Sequence, residues 1–258
     1  MSLSRRQVAL GALAAVPLRG GGGRRERTLY IAGDSTAAQK YSTEAPETGW
    51  GMALPFFLRK AVKVSNQAVN GRSSKSFVDE GRLDAILSAV RPGDVLLVQF
   101  AHNDEKTADP TRYTEPWTTY QDYLRLYIEG ARAHGARPVL ATPVERRRFD
   151  ADGNALPTHG DYPAAMRALA QQERVALLDI EALSLALWQR LGVEETKVYF
   201  NWTDTEQDNT HFNPPGAIAV ARELLRTRVL ASREVVRLHE DIPTSWITWP
   251  EATDAPVL

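Results

Sequence analysis

Two periodicities alternate along most of this chain. Short runs of apolar or β-branched residues bounded by turn formers occur at residues 28–32, 62–68, 94–100, 138–142 and 175–179, and predict five strands. Between them apolar positions return every three or four residues. Tyr120, Tyr123, Leu124, Tyr127, Ile128 and Ala131 make one such stripe, which predicts a helix covering the sheet with its tyrosines in the core. A second helix is predicted to start near Pro163 and carry Met166, Leu169 and Ala170 inward. A last one is predicted to open at Pro214-Pro215, where the missing amide protons cost nothing, and to bury Ala217, Val220, Ala221 and Leu224. Strands alternating with helices imply a parallel sheet covered on both faces, an α/β/α sandwich.

Three segments break the pattern. Residues 103–117, 143–161 and 198–210 are polar and rich in turn formers, and each follows an element expected to end at the same sheet edge. In open α/β folds ligands bind outside the carboxyl ends of the strands, so these loops are candidate pocket walls, with plain surface elaboration as the alternative. No internal repeat is present.

Composition narrows the setting. The 258 residues suffice for one substantial core, so a single domain is expected from residue 26 to 258, ending in a tail rich in tryptophan and proline. The 31 basic and 32 acidic side chains nearly cancel, which removes the electrostatic argument for a nucleic-acid or anionic-membrane partner. The absence of cysteine excludes disulfides, thiolate metal sites and a cysteine nucleophile. His134, His159 and His239 occur singly, without the spacing of a metal site, so neither metal nor cofactor is expected. Residues 1–25 are set aside: Arg5-Arg6 and a short apolar run from Val8 to Leu18 have the anatomy of a twin-arginine-like export signal, and Gly20 to Gly23 would form a flexible joint. An exported, periplasmic or extracellular location is the expectation; a cytoplasmic tail is the alternative. Oligomeric state is not legible.

The chemistry concentrates at the ends of the first three strands. Gly33-Asp34-Ser35 follows the first, and Asp208 with His211, three residues apart, lies far downstream. A serine is a weak nucleophile unless a base lies within hydrogen-bond reach and a third group orients that base, and Ser35, His211 and Asp208 supply these roles. The spacing of the acid and the histidine is read as one helical turn. After the second strand, Gly71 precedes a helix start capped by Ser73 or Ser74, so its amide is aimed from an electropositive terminus. After the third, Asn103 offers a side-chain amide. With the Ser35 amide these would form an oxyanion hole. Asp34 reads as a structural residue of the nucleophile turn. His102 competes with His211 as base but has no acid at the matching spacing. Trp50, Trp117 and Trp202 are candidates for stacking on sugar rings or for packing anchors. Arg72 is a candidate substrate contact. Arg146, Arg147 and Arg148 are read as bidentate partners for carboxylates or as a solvated basic loop.

These blocks resemble the SGNH hydrolases, or GDSL esterases, whose four naming residues are matched by Ser35, Gly71, Asn103 and His211. Thr36 departs from the leucine many relatives carry. With Gly49-Trp50-Gly51, Asn70 to Ser74, Gln99 to Asp104, Thr142-Pro143-Val144, Arg146 to Phe149 and His211-Phe212-Asn213, it narrows the resemblance to the rhamnogalacturonan acetylesterase branch. The resemblance implies a flavodoxin-like five-stranded sheet and a serine esterase that removes acetyl groups from pectic polysaccharide. Alternatives are an acetylxylan or other small-acyl esterase, a lipase or thioesterase of the same fold, and a non-catalytic carbohydrate-binding protein. The polar pocket loops disfavour a lipase, which needs an apolar acyl channel.

Overall fold

The structure, a computed structural model, describes residues 26–59, 61–227, 229–230 and 241–252. The twin-arginine pattern, the glycine run and His239 lie outside the described residues. Five parallel strands form the central sheet: β1 (Arg27–Gly33), β2 (Val62–Asn66), β3 (Val95–Gln99), β4 (Arg137–Ala141) and β5 (Ala176–Leu178), in the order β2-β1-β3-β4-β5. This is the doubly wound order with a topological switch point between β1 and β3. Seven α-helices accompany it among the described residues: α1 (Trp50–Phe57), α2 (Ser74–Asp79), α3 (Arg82–Ala89), α4 (Gln121–Ala133), α5 (Tyr162–Gln172), α6 (Ile180–Glu195) and α7 (Pro214–Arg226).

Alternation along the strands divides the core in two. Leu29, Ile31, Leu97, Val139 and Ala141 face one side, where α1, α6 and α7 bring Trp50, Leu54, Phe57, Trp188, Ala217 and Leu224. Tyr30, Ala32, Leu96, Val98 and Leu140 face the other, covered by Phe77, Ile86, Leu124, Tyr127, Ile128, Met166 and Leu169 from α2 to α5. The result is a three-layer α/β/α sandwich of the flavodoxin-like type. Tyr120 and Tyr127 are core residues, their hydroxyls donating to the carbonyls of Phe100 (2.8 Å) and Ser74 (2.8 Å).

Two differences from the sequence reading bear on the site. Residues 198–210 are not an irregular wall. They hold β6 (Phe200–Trp202), the turn after it and the start of β7 (Gln207–Phe212), an antiparallel hairpin separate from the main sheet, anchored where Phe200 and Phe212 pack on Trp188. α6, which the sequence pattern does not predict, supplies that tryptophan. The apolar residues of α6 are spread around the helix rather than gathered in one stripe, so periodicity does not reveal it.

The C-terminal segment returns to the domain. Ile242 and Ile247 are buried, Trp246 packs on Phe56 with ring centroids 5.6 Å apart, and Trp249 Nε1 donates to the Glu47 carbonyl at 2.7 Å. The Ser42 amide also donates to the Pro250 carbonyl at 2.9 Å. This strap crosses the segment between β1 and α1.

Candidate active site

β1 and β3 run side by side to the same edge, with Gly33 opposite Gln99. The turn after β1 is built around Asp34, which is fully buried. Its Oδ1 accepts from the Thr36 amide (2.9 Å) and hydroxyl (2.7 Å), and its Oδ2 accepts from Gln99 Nε2 (3.2 Å) and meets His102 Nδ1 at 3.1 Å. Burial alone would raise the Asp34 pKa; attraction to His102 and the hydrogen bonds from His102 and Thr36 outweigh it and bring it to about 2. The carboxylate is therefore ionised and spent on holding the turn.

The turn leaves Ser35 partly exposed, its Oγ 2.9 Å from His211 Nε2. His211 Nδ1 lies 2.6 Å from Asp208 Oδ2, while Asp208 Oδ1 accepts the amides of Thr210 (2.6 Å) and His211 (3.0 Å). Acid and base sit on β7, not on a helical turn. The three-residue spacing closes because the Asp208 side chain folds back onto the amides that follow it. Burial raises the Asp208 pKa, but the hydrogen bonds from His211 and the two amides bring it below its ordinary value. Burial likewise works against a charged His211, and is overcome by Asp208 and Glu47, so its pKa stands above the usual value for histidine. The hairpin is fixed to the segment just before α1 by the Thr48 amide, which donates to the Phe212 carbonyl at 2.7 Å. Arg147 steadies its other side, its amide donating to the Asn209 carbonyl (2.8 Å) and its Nη1 to Asn209 Oδ1 (3.0 Å).

Gly71 has φ +74°, a left-handed conformation that a side chain would strain. Ser73, not Ser74, caps α2, its hydroxyl accepting the Ser76 amide at 3.1 Å. Asn103 is held beside this loop, with Nδ2 donating to the Arg72 carbonyl at 3.0 Å, which uses one of its two amide protons. Among the described residues the amides of Ser35 and Gly71 donate no hydrogen bond, and these two amides and Asn103 Nδ2 lie on the loops that follow β1, β2 and β3 at one edge of the sheet. Asp104, next to Asn103, is buried and accepts from the Ser74 amide and hydroxyl and from Thr114 Oγ1. Burial outweighs those bonds and pushes its pKa up to about 7.

His102 is not placed to serve Ser35. Its ring is buried against Asp34 and stands edge-on to His159 at 4.3 Å between centroids, and burial brings its pKa down to about 4. His159 in turn contacts Glu105 and the Val144 carbonyl, each at 3.1 Å.

The candidate substrate contacts fare unevenly. Trp50 is wholly buried and donates from Nε1 to Gln99 Oε1 at 2.8 Å, so it is a packing anchor and not a stacking surface. Its glycine neighbours explain the motif: a Cβ at Gly49 would collide with the Ala38 carbonyl, because α1 starts against the nucleophile loop. Arg146, about a quarter exposed, is paired with the Glu105 carboxylate. Trp202 is half-buried, with the Arg147 guanidinium 4.7 Å and the Lys197 ammonium 5.2 Å from its ring centroid. Arg72 pairs with Glu80 and donates to the Asn70 carbonyl, yet it lines a cavity of about 620 Å³ beside Gly71, together with Lys75 and Arg112. Of the three candidate tryptophans Trp117 is the exposed one, at 48 %.

Sequence reasoning passed over two charged residues. Lys40 is fully buried, its ammonium bound to Asn70 Oδ1 at 2.5 Å and to the Glu47 carboxylate. Glu47 Oε1 lies 3.9 Å from His211 Nε2. The one hint available was a lysine five residues after the candidate nucleophile, a separation that carries no recognisable pattern.

Residues 31–217 match the GDSL-like Lipase/Acylhydrolase family. The chain is 45 % identical over 194 residues to the probable rhamnogalacturonan acetylesterase YesY of Bacillus subtilis, covering 75 % of this chain and 88 % of that one. It is 42 % identical over 203 residues to the rhamnogalacturonan acetylesterase RhgT of the same organism, covering 75 % and 86 %. Among solved structures, YxiM from Bacillus subtilis superposes with a TM-score of 0.69 at 32 % identity, over 77 % of this chain and 55 % of that one. A mutant of the acetylxylan esterase Axe2 from Geobacillus stearothermophilus shares the fold at 14 % identity, with a TM-score of 0.57 over 78 % and 94 % of the two chains.

Proposed function

Since the chain belongs to the GDSL-like lipase/acylhydrolase family, we propose that it is a serine carbohydrate esterase removing O-acetyl groups from pectic polysaccharide of the rhamnogalacturonan type. The observation that carries this reading is the continuous relay Ser35 Oγ, His211 Nε2, His211 Nδ1, Asp208 Oδ2, with contacts of 2.9 and 2.6 Å. Two relatives above 40 % identity, both named as rhamnogalacturonan acetylesterases, support the substrate class.

In the proposed reaction Ser35 Oγ attacks the acetyl carbonyl carbon while its proton passes to His211 Nε2. The carbonyl oxygen becomes an oxyanion facing the amides of Ser35 and Gly71 and the second Nδ2 proton of Asn103. Collapse breaks the bond to the sugar oxygen, which takes the proton from His211 and leaves as an alcohol. Water then attacks the acetyl-serine, His211 accepting its proton, and acetate departs as Ser35 regains a proton. Asp208 keeps the imidazole in the tautomer that presents a bare Nε2 to Ser35 and stabilises the imidazolium formed at each step.

The test is acetate release from acetylated rhamnogalacturonan, acetylated xylan and a small aryl acetate by wild type and Ser35→Ala. Serine-dependent release from the pectic polymer is the expected result. Release confined to xylan or the aryl ester would discard the pectin assignment, and release unaffected in Ser35→Ala would discard the serine mechanism. Export is part of the same proposal, supported by the basic and apolar pattern within residues 1–25 and by a substrate that lies outside cells. Retention of the whole chain in the cytoplasm of a host with a working twin-arginine pathway would overturn it.

A further inference from the structure

The reaction above uses one face of the site; the Lys40–Glu47 pair on the other remains unexplained. A lysine with no exposed side-chain surface is rare, since burying an ammonium is costly unless it is paired and hydrogen-bonded. Lys40 meets both conditions through the Glu47 carboxylate and Asn70 Oδ1. Asn70 is the residue before Gly71, and its own Nδ2 donates to Glu44 Oε1 at 2.6 Å. The pair therefore ties three parts of the site together: the nucleophile loop bearing Lys40, the segment bearing Glu44 and Glu47, and the loop bearing the oxyanion glycine.

Glu47 is also oriented by its backbone. Its amide donates to the Glu44 carbonyl at 2.9 Å, its carbonyl accepts from Trp249, and the next amide, Thr48, donates into β7. These restraints leave its carboxylate 3.9 Å from His211 Nε2, the nitrogen facing Ser35, whereas Asp208 occupies Nδ1. The imidazole thus has a carboxylate near each nitrogen. Only the one at Nδ1 makes a hydrogen bond, so Glu47 leaves Nε2 free to take and return the proton.

Resting on the esterase reading, we propose that Glu47, clamped by Lys40, is a positioning residue of the reaction: its carboxylate favours the imidazolium that His211 becomes when Ser35 attacks, and Lys40 moderates that field. The charged groups facing His211 are Asp208 on β7, Glu47 ahead of α1 and Lys40 on the nucleophile loop. Removing the Glu47 charge should make His211 a weaker base, and removing the Lys40 charge should make it a stronger one.

The experiment is kcat/KM against pH on a small aryl acetate for wild type, Glu47→Gln, Lys40→Met and Ser35→Ala. Glu47→Gln retains an acceptor for Lys40, so it disturbs packing little. Its acid limb is expected to move to lower pH, with a plateau kcat reduced by no more than about tenfold, less than the ~10²-fold or greater loss of a general base. The Lys40→Met limb is expected to move to higher pH. Shifts of opposite sign report charge, which a purely structural role would not produce. If Ser35→Ala is inactive and the Glu47→Gln limb coincides with wild type, the inference fails while the esterase reading stands. If Ser35→Ala stays active, both fall.

Discussion

Replacing Asp34 by asparagine keeps the shape of the nucleophile turn and removes only its charge and one pair of acceptors. Two protein groups converge on each oxygen of Asp34. Gln99 cannot turn its amide over to compensate, because its Oε1 already accepts from Trp50 at 2.8 Å. Whichever way the introduced amide points, its NH₂ faces either the Thr36 amide and hydroxyl or the Gln99 amide. At least one buried donor is then left without an acceptor, at a cost of about 1–3 kcal/mol, and the charge-assisted bonds, worth about 1.5–3 kcal/mol, are weakened as well. Linkage gives a matching lower bound: a carboxyl group moved from 3.8 to about 2 on folding contributes about 2–3 kcal/mol at neutral pH. A loss of roughly 2.5–6 kcal/mol is therefore expected at pH 7 by urea unfolding, from the sum of those two hydrogen-bond terms. Because the folded pKa is depressed, the wild-type advantage is present above 3.8 and vanishes as pH falls toward 2, so the two unfolding curves should converge there. A difference below about 1 kcal/mol at pH 7, smaller than one typical hydrogen bond, would refute this account of the turn.

Asn103→Ala should lower kcat by about 10²-fold or more on an aryl acetate while the protein remains folded by circular dichroism; near-normal turnover would remove Asn103 from the oxyanion hole. In wild type the acid limb of kcat/KM should lie above pH 6.5, since Asp208 and Glu47 favour protonated His211 and the base works only when neutral. A limb at or below that value would contradict the arrangement. Asp104 has the opposite linkage to Asp34. Its folded pKa of about 7 exceeds the ordinary 3.8, so the folded state holds the extra proton between those values and stability should fall as pH rises from 4 to 7. The slope contributed is at most about 1.4 kcal/mol per pH unit, and urea titrations of Asp104→Asn should lack it.

The sheet and its ligand-facing edge can be read from the chain because both follow from local pattern. Each of the five predicted strands lies within two residues of the strand observed, and α4, α5 and α7 begin at or beside the residues expected. The parts that escape depend on tertiary contact. The hairpin β6–β7 has a polar sequence and forms because Phe200 and Phe212 find Trp188 on α6, a partner that no short window contains. Trp50 resembles a sugar platform because it sits in a glycine-flanked motif near the nucleophile; the glycines instead admit α1 close against the loop, which takes the indole into the core. Arg146 stands out by its charge, but Glu105, 41 residues away, claims it. Lys40 and Glu47 escape for the same reason in reverse: a buried charge announces itself only once its partners are in place.

Ser35 and His211 are 176 residues apart, the first in the turn after the strand that opens the sheet and the second on a hairpin anchored on Trp188 of α6. In the proposed reaction a ribosome thus makes the nucleophile turn and the oxyanion loops well before the base, so ester hydrolysis would have to wait until the chain has been made past His211. Turnover on a soluble acetate can serve as a clock for the last stage of assembly, and a partly unfolded molecule that frees β7 should fall silent while its central sheet is still intact.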